Sequence, residues 1–397
     1  MRDEERAAAP ERARAVMRTP REVDVEITSR CNLRCRYCYF FDNPSVEYRD
    51  LPTAEWLSFF EELGRCAVMK VCIAGGEPFI REDLRELLDG IVRNRMRFSI
   101  LSNGGLIDDD IARFLKETHR CDYVQISVDG STAETHDAGR GRGSFEGAIR
   151  GIKTLQRQGV QVAVRVTIHH QNVHDLEGIA RLLLEELGLG SFGTNSASAL
   201  GTCRERGAAI QLTQEDRLVA MRTLLRLTRK YPGRISAQAG PLAEARMWGK
   251  MVRACEENAP AFPDGGRLTG CGCPSSKMAV RSDGVMTPCP MLAHLELGRV
   301  NHDRLEEVWQ TSPAINALRR RREITLDRFE HCAGCEYLPY CTGNCPGLAY
   351  SILGVVDHPS PDACLRRYLA EGGKLPDPEP ACSDPSPRAR AEESDDC

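Results

Sequence analysis

The chain has 397 residues, with 53 Lys and Arg against 57 Asp and Glu, and is 41% hydrophobic. That length and apolar content allow two or three domains with proper cores, while a net charge of -4 and a pI near 6.2 argue against a general nucleic-acid binder. No apolar run is long enough to span a membrane, and the charged, Ala-rich start lacks the apolar stretch of a secretory signal, so a cytoplasmic protein with no membrane partner is expected.

Residues 1–21 are polar, Ala- and Arg-rich, and are expected to be mobile. Over 22–200, strand-like runs alternate with helix-like ones. The candidate strands are 23–28, 68–74, 97–101, 123–128, 160–168 and 191–195, and an amphipathic segment such as 83–92 carries Leu84, Leu87, Leu88 and Ile91 on one face. Six such units predict a parallel sheet, read as a partial (β/α)6 TIM-like barrel with its chemistry at the C-terminal strand ends. Residues 201–267 are charged and helix-friendly, a predicted helical bridge. Residues 268–370 are dense in Cys, Pro and Gly and form a small metal-stapled domain whose core is too small to stand alone. The tail, 371–397, is rich in Pro, Ser and acidic residues and is expected to be disordered.

Eighteen cysteines in a large chain without a secretory signal point to metal binding rather than disulfides. Cys31, Cys35 and Cys38, just after the first strand, offer three thiolates at x3 and x2 spacing. A cubane iron–sulfur cluster has four irons, so three ligands leave one iron open to a small molecule. A structural zinc site would close with a fourth ligand nearby, and none follows. Gly75-Gly76-Glu77-Pro78 comes after the second strand. Its glycines permit close backbone approach, and Glu77 can accept hydrogen bonds from an ammonium group. Ser102-Asn103 and Ser127-Val128-Asp129 follow the next two strands, and their short polar side chains suit a ribose and a carboxylate, or ordinary turns. Arg165 is a lone charge in an apolar strand, either a carboxylate partner or a structural ion pair. The basic run Arg319–Arg322 reads as a solvated helix face or a dock for an acidic peptide. His169 and His170 read as packed or exposed rather than as ligands.

The trio, with Tyr37 before its last cysteine, and the Gly75–Pro78 run together resemble the radical SAM family. The resemblance implies that Cys31, Cys35 and Cys38 hold a catalytic [4Fe-4S] cluster with S-adenosylmethionine (SAM) on its open iron. It implies that Tyr37, Gly75, Gly76, Glu77, Pro78, Ser102, Asn103, Ser127, Asp129 and Arg165 line the SAM pocket, with Glu77 on the methionine amino group and Arg165 on the carboxylate. Downstream, Cys273, Cys289, Cys332, Cys335, Cys341, Cys345 and Cys364 resemble the SPASM extension, which carries two auxiliary [4Fe-4S] clusters. By that pattern Cys332, Cys335, Cys341 and Cys364 bind the outer cluster. Cys289 and Cys345 bind the inner one with Cys271 and Cys273, and Cys255 is an alternative for one of that last pair. Taken alone, Cys332, Cys335, Cys341 and Cys345 equally read as a zinc knuckle.

The resemblance further implies reductive cleavage of SAM to a 5′-deoxyadenosyl radical that abstracts hydrogen from a ribosomally made precursor peptide, giving an oxidative crosslink or similar modification. A flavodoxin- or ferredoxin-type reductant is the expected electron donor. Only about twenty residues precede the barrel, so a separate leader-binding protein is an expected partner. The stretches 95–103 and 341–364 are most similar to maturases of SynChlorMet-type cassettes. Pro290 stands where sulfatase-maturing members carry Asp, which argues against that activity. Modification of a small cofactor precursor such as a haem or tetrapyrrole side chain is the alternative, and a non-catalytic zinc-binding protein the remote one.

Overall fold

Alternation builds the central sheet. In β1 (Glu22–Glu26), Val23 and Val25 are fully buried while Glu22, Asp24 and Glu26 take the opposite face. The same period sorts β2 (Lys70–Ala74), β3 (Arg97–Ser102), β4 (Cys121–Ser127), β5 (Val162–Ile168) and β6 (Phe192–Ser196), whose Val, Ile and Phe side chains enter one apolar core. The computed structural model, which describes residues 16–44 and 46–376, aligns these six strands in sequence order, all parallel. The crossovers carry α1 (Thr53–Arg65), α2 (Leu84–Arg93), α3 (Asp109–Glu117), α4 (Ala133–Arg140), α5 (Ser144–Arg157) and α6 (Leu176–Arg181). Helix α2 buries Leu84, Leu87, Leu88 and Ile91, the stripe its three- and four-residue spacing predicts. On the polar face of the sheet, Asp24, Cys72 and Ser99 stand in register across β1, β2 and β3. Burial pushes the Asp24 carboxyl up to about 6.

The sheet runs past six strands at both ends. After α7 (Thr202–Arg206) and α8 (Gln214–Lys230), β7 (Ile235–Ala237) pairs parallel with β6, and α9 (Pro241–Glu256) follows. The expected helical bridge therefore contains a seventh parallel strand. Three residues are too few for a period of two to be read. At the other edge, the turn α10 (Cys273–Ser276) leads into β8 (Lys277–Val280), which lies parallel to β1, and β9 (Val285–Thr287) and β10 (Gly298–Arg299) extend it antiparallel. The result is one ten-stranded sheet, β10-β9-β8-β1-β2-β3-β4-β5-β6-β7.

Helices α11 (Leu305–Thr311), α12 (Pro313–Arg320), α13 (Pro346–Leu353) and α14 (Leu365–Ala370) complete the cysteine-rich region. Its Met278, Val280, Trp309, Tyr340, Leu365 and Tyr368 share a single core with Val23 and Val25 of the barrel. The architecture is thus an α/β partial barrel of parallel strands followed by a cysteine-rich region, and that region borrows the barrel's sheet and core. The end of the segment expected to be mobile is tied down, since Trp309 Nε1 donates to Met17 O at 2.8 Å and Thr19 Oγ1 to Cys66 O at 2.7 Å. At the other end Tyr368 Oη donates to Lys374 O at 2.8 Å. Cys382 and Cys397 lie outside the described residues. No helix among the described residues is long and apolar enough to cross a membrane.

Candidate radical cluster site

The loop that follows β1 carries the cysteine trio, and backbone carbonyls and a carboxylate hold its shape. Asp50 accepts from Thr28 Oγ1 and Ser29 N, both at 2.6 Å, and fixes the loop entry. Thr202 closes the far side: its N–H donates to Cys38 O at 3.0 Å, and its hydroxyl meets Cys35 O and Cys38 O at 3.0 and 3.2 Å. A Cβ on Gly76 would stand 2.2 Å from Arg30 O, and one on Gly75 would stand 2.4 Å from Thr28 O, so only glycine lets the end of β2 lie against this loop. The three thiols are half-buried. Burial raises all three, Cys31 to about 11, while N–H groups of Leu33, Phe40 and Phe41 aim at the sulfurs and favour thiolate.

Around the trio the predicted pocket residues fall into two groups. Glu77 is fully buried, and its carboxylate accepts from Ser102 Oγ and Asn103 N at 2.8 Å and from Phe79 N at 3.2 Å. Three of its roughly four acceptor positions are thereby filled. Burial pushes its pKa to about 7, against those hydrogen bonds. Glu77, Ser102 and Asn103 thus lock the ends of β2 and β3 together. Asp129 is held in a similar way. It is fully buried and accepts from Tyr37 Oη and Thr167 N at 2.6 Å and from Arg140 Nε. Burial alone would raise it, but the Arg140 guanidinium, with His136 and Tyr37, holds the carboxyl below its usual range. Three of the roughly four acceptor positions of this carboxylate are thereby filled from inside the protein. It positions Tyr37, whose ring lies 4.5 Å from that of His169, a fully buried histidine that burial lowers to about 4. Arg140, which no local pattern marks, sits between Asp129 and the trio, with Nη1 3.9 Å from Cys35 Sγ.

Ser127 and Arg165 stand opposite each other on β4 and β5. Among the described residues the Arg165 guanidinium has no hydrogen-bond or ion-pair partner, and Gly193 beside it leaves room that a Cβ at 3.1 Å from Nη1 would take. These are the polar groups of the predicted pocket left free for a ligand.

The downstream cysteines gather into two sets. Cys271 and Cys273 lie close enough to couple, which draws the Cys271 thiol down and pushes the Cys273 thiol up, and both neighbour Cys289, which in turn neighbours Cys345. Cys332, Cys335, Cys341 and Cys364 form the second set. Cys255 does not join the first set. Its thiol lies 3.7 Å from Glu336 Oε2, beside Cys335. Among the described residues no three His, Cys, Asp or Glu side chains converge closely enough to share a single ion, as a zinc knuckle would require. Cys203 is fully buried against Tyr37 and Ile210.

A family model of the Radical SAM superfamily matches residues 25–183, and one of the SPASM iron–sulfur cluster-binding domain matches residues 271–336. The chain is a radical SAM protein with a C-terminal SPASM region. Its relatives include an Fe-coproporphyrin III synthase of Methanosarcina barkeri, 29% identical over 83% of this chain and 84% of that protein. The mycofactocin maturase MftC of Mycobacterium tuberculosis is 29% identical over 89% of this chain and 86% of its own. Among solved structures, Streptococcus suis SuiB bound to its precursor peptide SuiA superposes with a TM-score of 0.67 at 16% identity, over 88% of this chain and 77% of SuiB. Native anSMEcpe with bound AdoMet gives 0.64 at 19%, over 88% and 96%. At those identities the two structures establish the fold alone. A radical SAM protein uses a [4Fe-4S] cluster and SAM, and its SPASM region implies further iron–sulfur clusters. The residues present fit these groups: three half-buried thiols with N–H donors on sulfur, a glycine approach that any Cβ would block, and an unpaired guanidinium.

Proposed function

We propose that this radical SAM enzyme oxidises a peptide. Cys31, Cys35 and Cys38 hold the catalytic cluster, the Gly75–Gly76 backbone receives SAM, and Ser127 and Arg165 bind its polar groups. Bound there, the cluster and SAM supply a 5′-deoxyadenosyl radical that removes a hydrogen atom from substrate. Tyr37, held by Asp129, walls the cluster loop, while Thr202 keeps the carbonyls of Cys35 and Cys38 in place. Cys271, Cys273, Cys289 and Cys345 hold one auxiliary cluster, and Cys332, Cys335, Cys341 and Cys364 the other. The arginine role has a direct test. Arg165→Gln should weaken SAM binding about ten- to a hundredfold, the worth of a hydrogen bond to a charged group, in anaerobic equilibrium dialysis. Unchanged affinity would leave Arg165 without that role.

The observation that favours a peptide is an open groove of about 710 Å³ at the ends of β5 and β6. Its floor reaches Ala197 and Ile210, which pack beside Tyr37, and its wall reaches Cys364. Its cations are neutralised: Arg217 pairs with Glu244 and Asp362, and Arg367 with Glu371. Arg204 gives Nε and Nη2 to the carbonyls of Ala199 and Ser351, and the three arginines of the lining are matched by the carboxylates of Glu244, Asp362 and Glu371. A polypeptide with its own N–H and C=O groups suits such a lining of amides, hydroxyls and balanced charge. A tetrapyrrole bearing several propionates would meet no surplus of positive charge.

The relationship to the Methanosarcina synthase keeps the tetrapyrrole as a second reading. Anaerobic enzyme with SAM and reductant, offered the short peptide encoded nearest its gene or a tetrapyrrole precursor of Fe-coproporphyrin III, separates them by mass spectrometry. A peptide lighter by two hydrogens, formed with 5′-deoxyadenosine, is the expected result. An untouched peptide beside a modified tetrapyrrole would contradict it.

A further inference from the structure

The run Arg319–Arg322 at the end of α12 is only in part the solvated face that its charge predicts: Arg320 is exposed, but Arg321 is buried. Arg319 lies over the Trp309 ring and donates to Pro274 O at 2.8 Å and Trp309 O at 2.7 Å. Arg321 is only 3% exposed, and its Nε and Nη2 have no hydrogen-bond partner. The one carboxylate paired with it, half-exposed Asp357, stands 3.2 Å from Nε but out of line for a hydrogen bond. A buried guanidinium with idle donors is costly unless an anion faces it.

The surroundings supply the place for that anion. Arg321 lines a small cavity together with Cys271 and with Pro346, the neighbour of Cys345. Cys271 and Cys345 both feel its positive charge. Burial lowers the guanidinium's own pKa, opposed by Asp357, Cys271 and Cys345. Among the described residues the second cysteine set has no buried guanidinium beside it, although His331 Nε2 lies 3.6 Å from Cys364 Sγ and Arg366 acts on Cys332 and Cys364. Its nearest arginine, Arg366, is exposed and spends Nη1 on the carbonyls of His331 and Ala333.

We propose that Arg321 is the buried counter-cation of the auxiliary cluster held by Cys271, Cys273, Cys289 and Cys345, donating hydrogen bonds to its sulfurs and raising its reduction potential. This rests on the ligand assignment above. Four thiolates leave an oxidised cubane with roughly two net negative charges and the reduced one with about one more, so a fixed cation and N–H donors at sulfur favour the reduced form. Arg321 tunes the cluster and touches no substrate.

The test is an EPR-monitored redox titration of the anaerobically reconstituted full-length protein, alongside Arg321→Gln and Asp357→Asn. Arg321→Gln should make this cluster at least about tenfold harder to reduce, equal to ~59 mV for one electron, with the other clusters unmoved. Asp357→Asn, at an exposed side chain, removes the carboxylate that competes for the guanidinium and should move the same midpoint the opposite way. An unmoved midpoint in both variants, or an equal shift in every cluster, would overturn the proposal. Should Arg321→Gln fail to retain the cluster, the sign of the Asp357→Asn shift decides: upward supports the role, while none or downward overturns it. Wild-type protein short of iron by about four per chain and lacking this signal would instead overturn the ligand assignment, and the proposal with it.

Discussion

Replacing Cys31, Cys35 and Cys38 together by alanine should lower 5′-deoxyadenosine formation by more than about a thousandfold, because the three ligands act as a unit and their loss leaves no site for SAM. The same variant should lose about four irons per chain and keep the rest, since the downstream cysteine sets lie on other elements. Its fold should survive. The loop is held by Asp50 on Thr28 and Ser29, by Thr202 on two carbonyls and by Gly76 N on Thr28 O at 2.8 Å, and none of these contacts uses a thiol. Anaerobic assay with dithionite, iron analysis and circular dichroism read the three outcomes together. Retained SAM cleavage would remove the trio from the mechanism.

Asp129→Ala should cost about 3–5 kcal/mol of stability, the penalty for leaving one member of a buried ion pair uncompensated. Its Arg140 partner side chain is 11% exposed and Asp129 itself 0%, so water cannot replace the lost carboxylate. Tyr37 Oη and Thr167 N would lose their acceptor in the same step. The shift is read as a lower denaturant midpoint of reconstituted protein without SAM. A residue whose task was to bind ribose would leave that midpoint alone and weaken only SAM affinity, and such a result would return Asp129 to the cofactor pocket.

The contrast at Asp129 shows where local reading stops. Strands were legible because Val23 and Val25, or Val164, Val166 and Ile168, alternate with polar residues, and the trio because ligand spacing is itself local. Asp129 sits on a strand-end turn, as its neighbours suggest. What spends its carboxylate is Thr167, 38 residues away, and a tyrosine 92 residues away. Arg140 reaches Cys35 across 105 residues, beyond any motif. A run of four arginines reads as solvent-facing because charge is expensive to bury, and only the path of α12 against the cysteine region reveals Arg321 inside. Strand β8 beside β1 is likewise a matter of topology: Lys277 faces Glu22 at 2.8 Å, a pairing of segments far apart in the chain.

We propose that one chain carries iron–sulfur sites at three separate groups of cysteines. Metal analysis with Mössbauer spectroscopy of protein purified without oxygen tests it most directly. About twelve irons per chain are expected, all in cubane clusters, with one cluster changing its spectrum when SAM is added. Zinc in the downstream sites, or iron near four per chain, would contradict it.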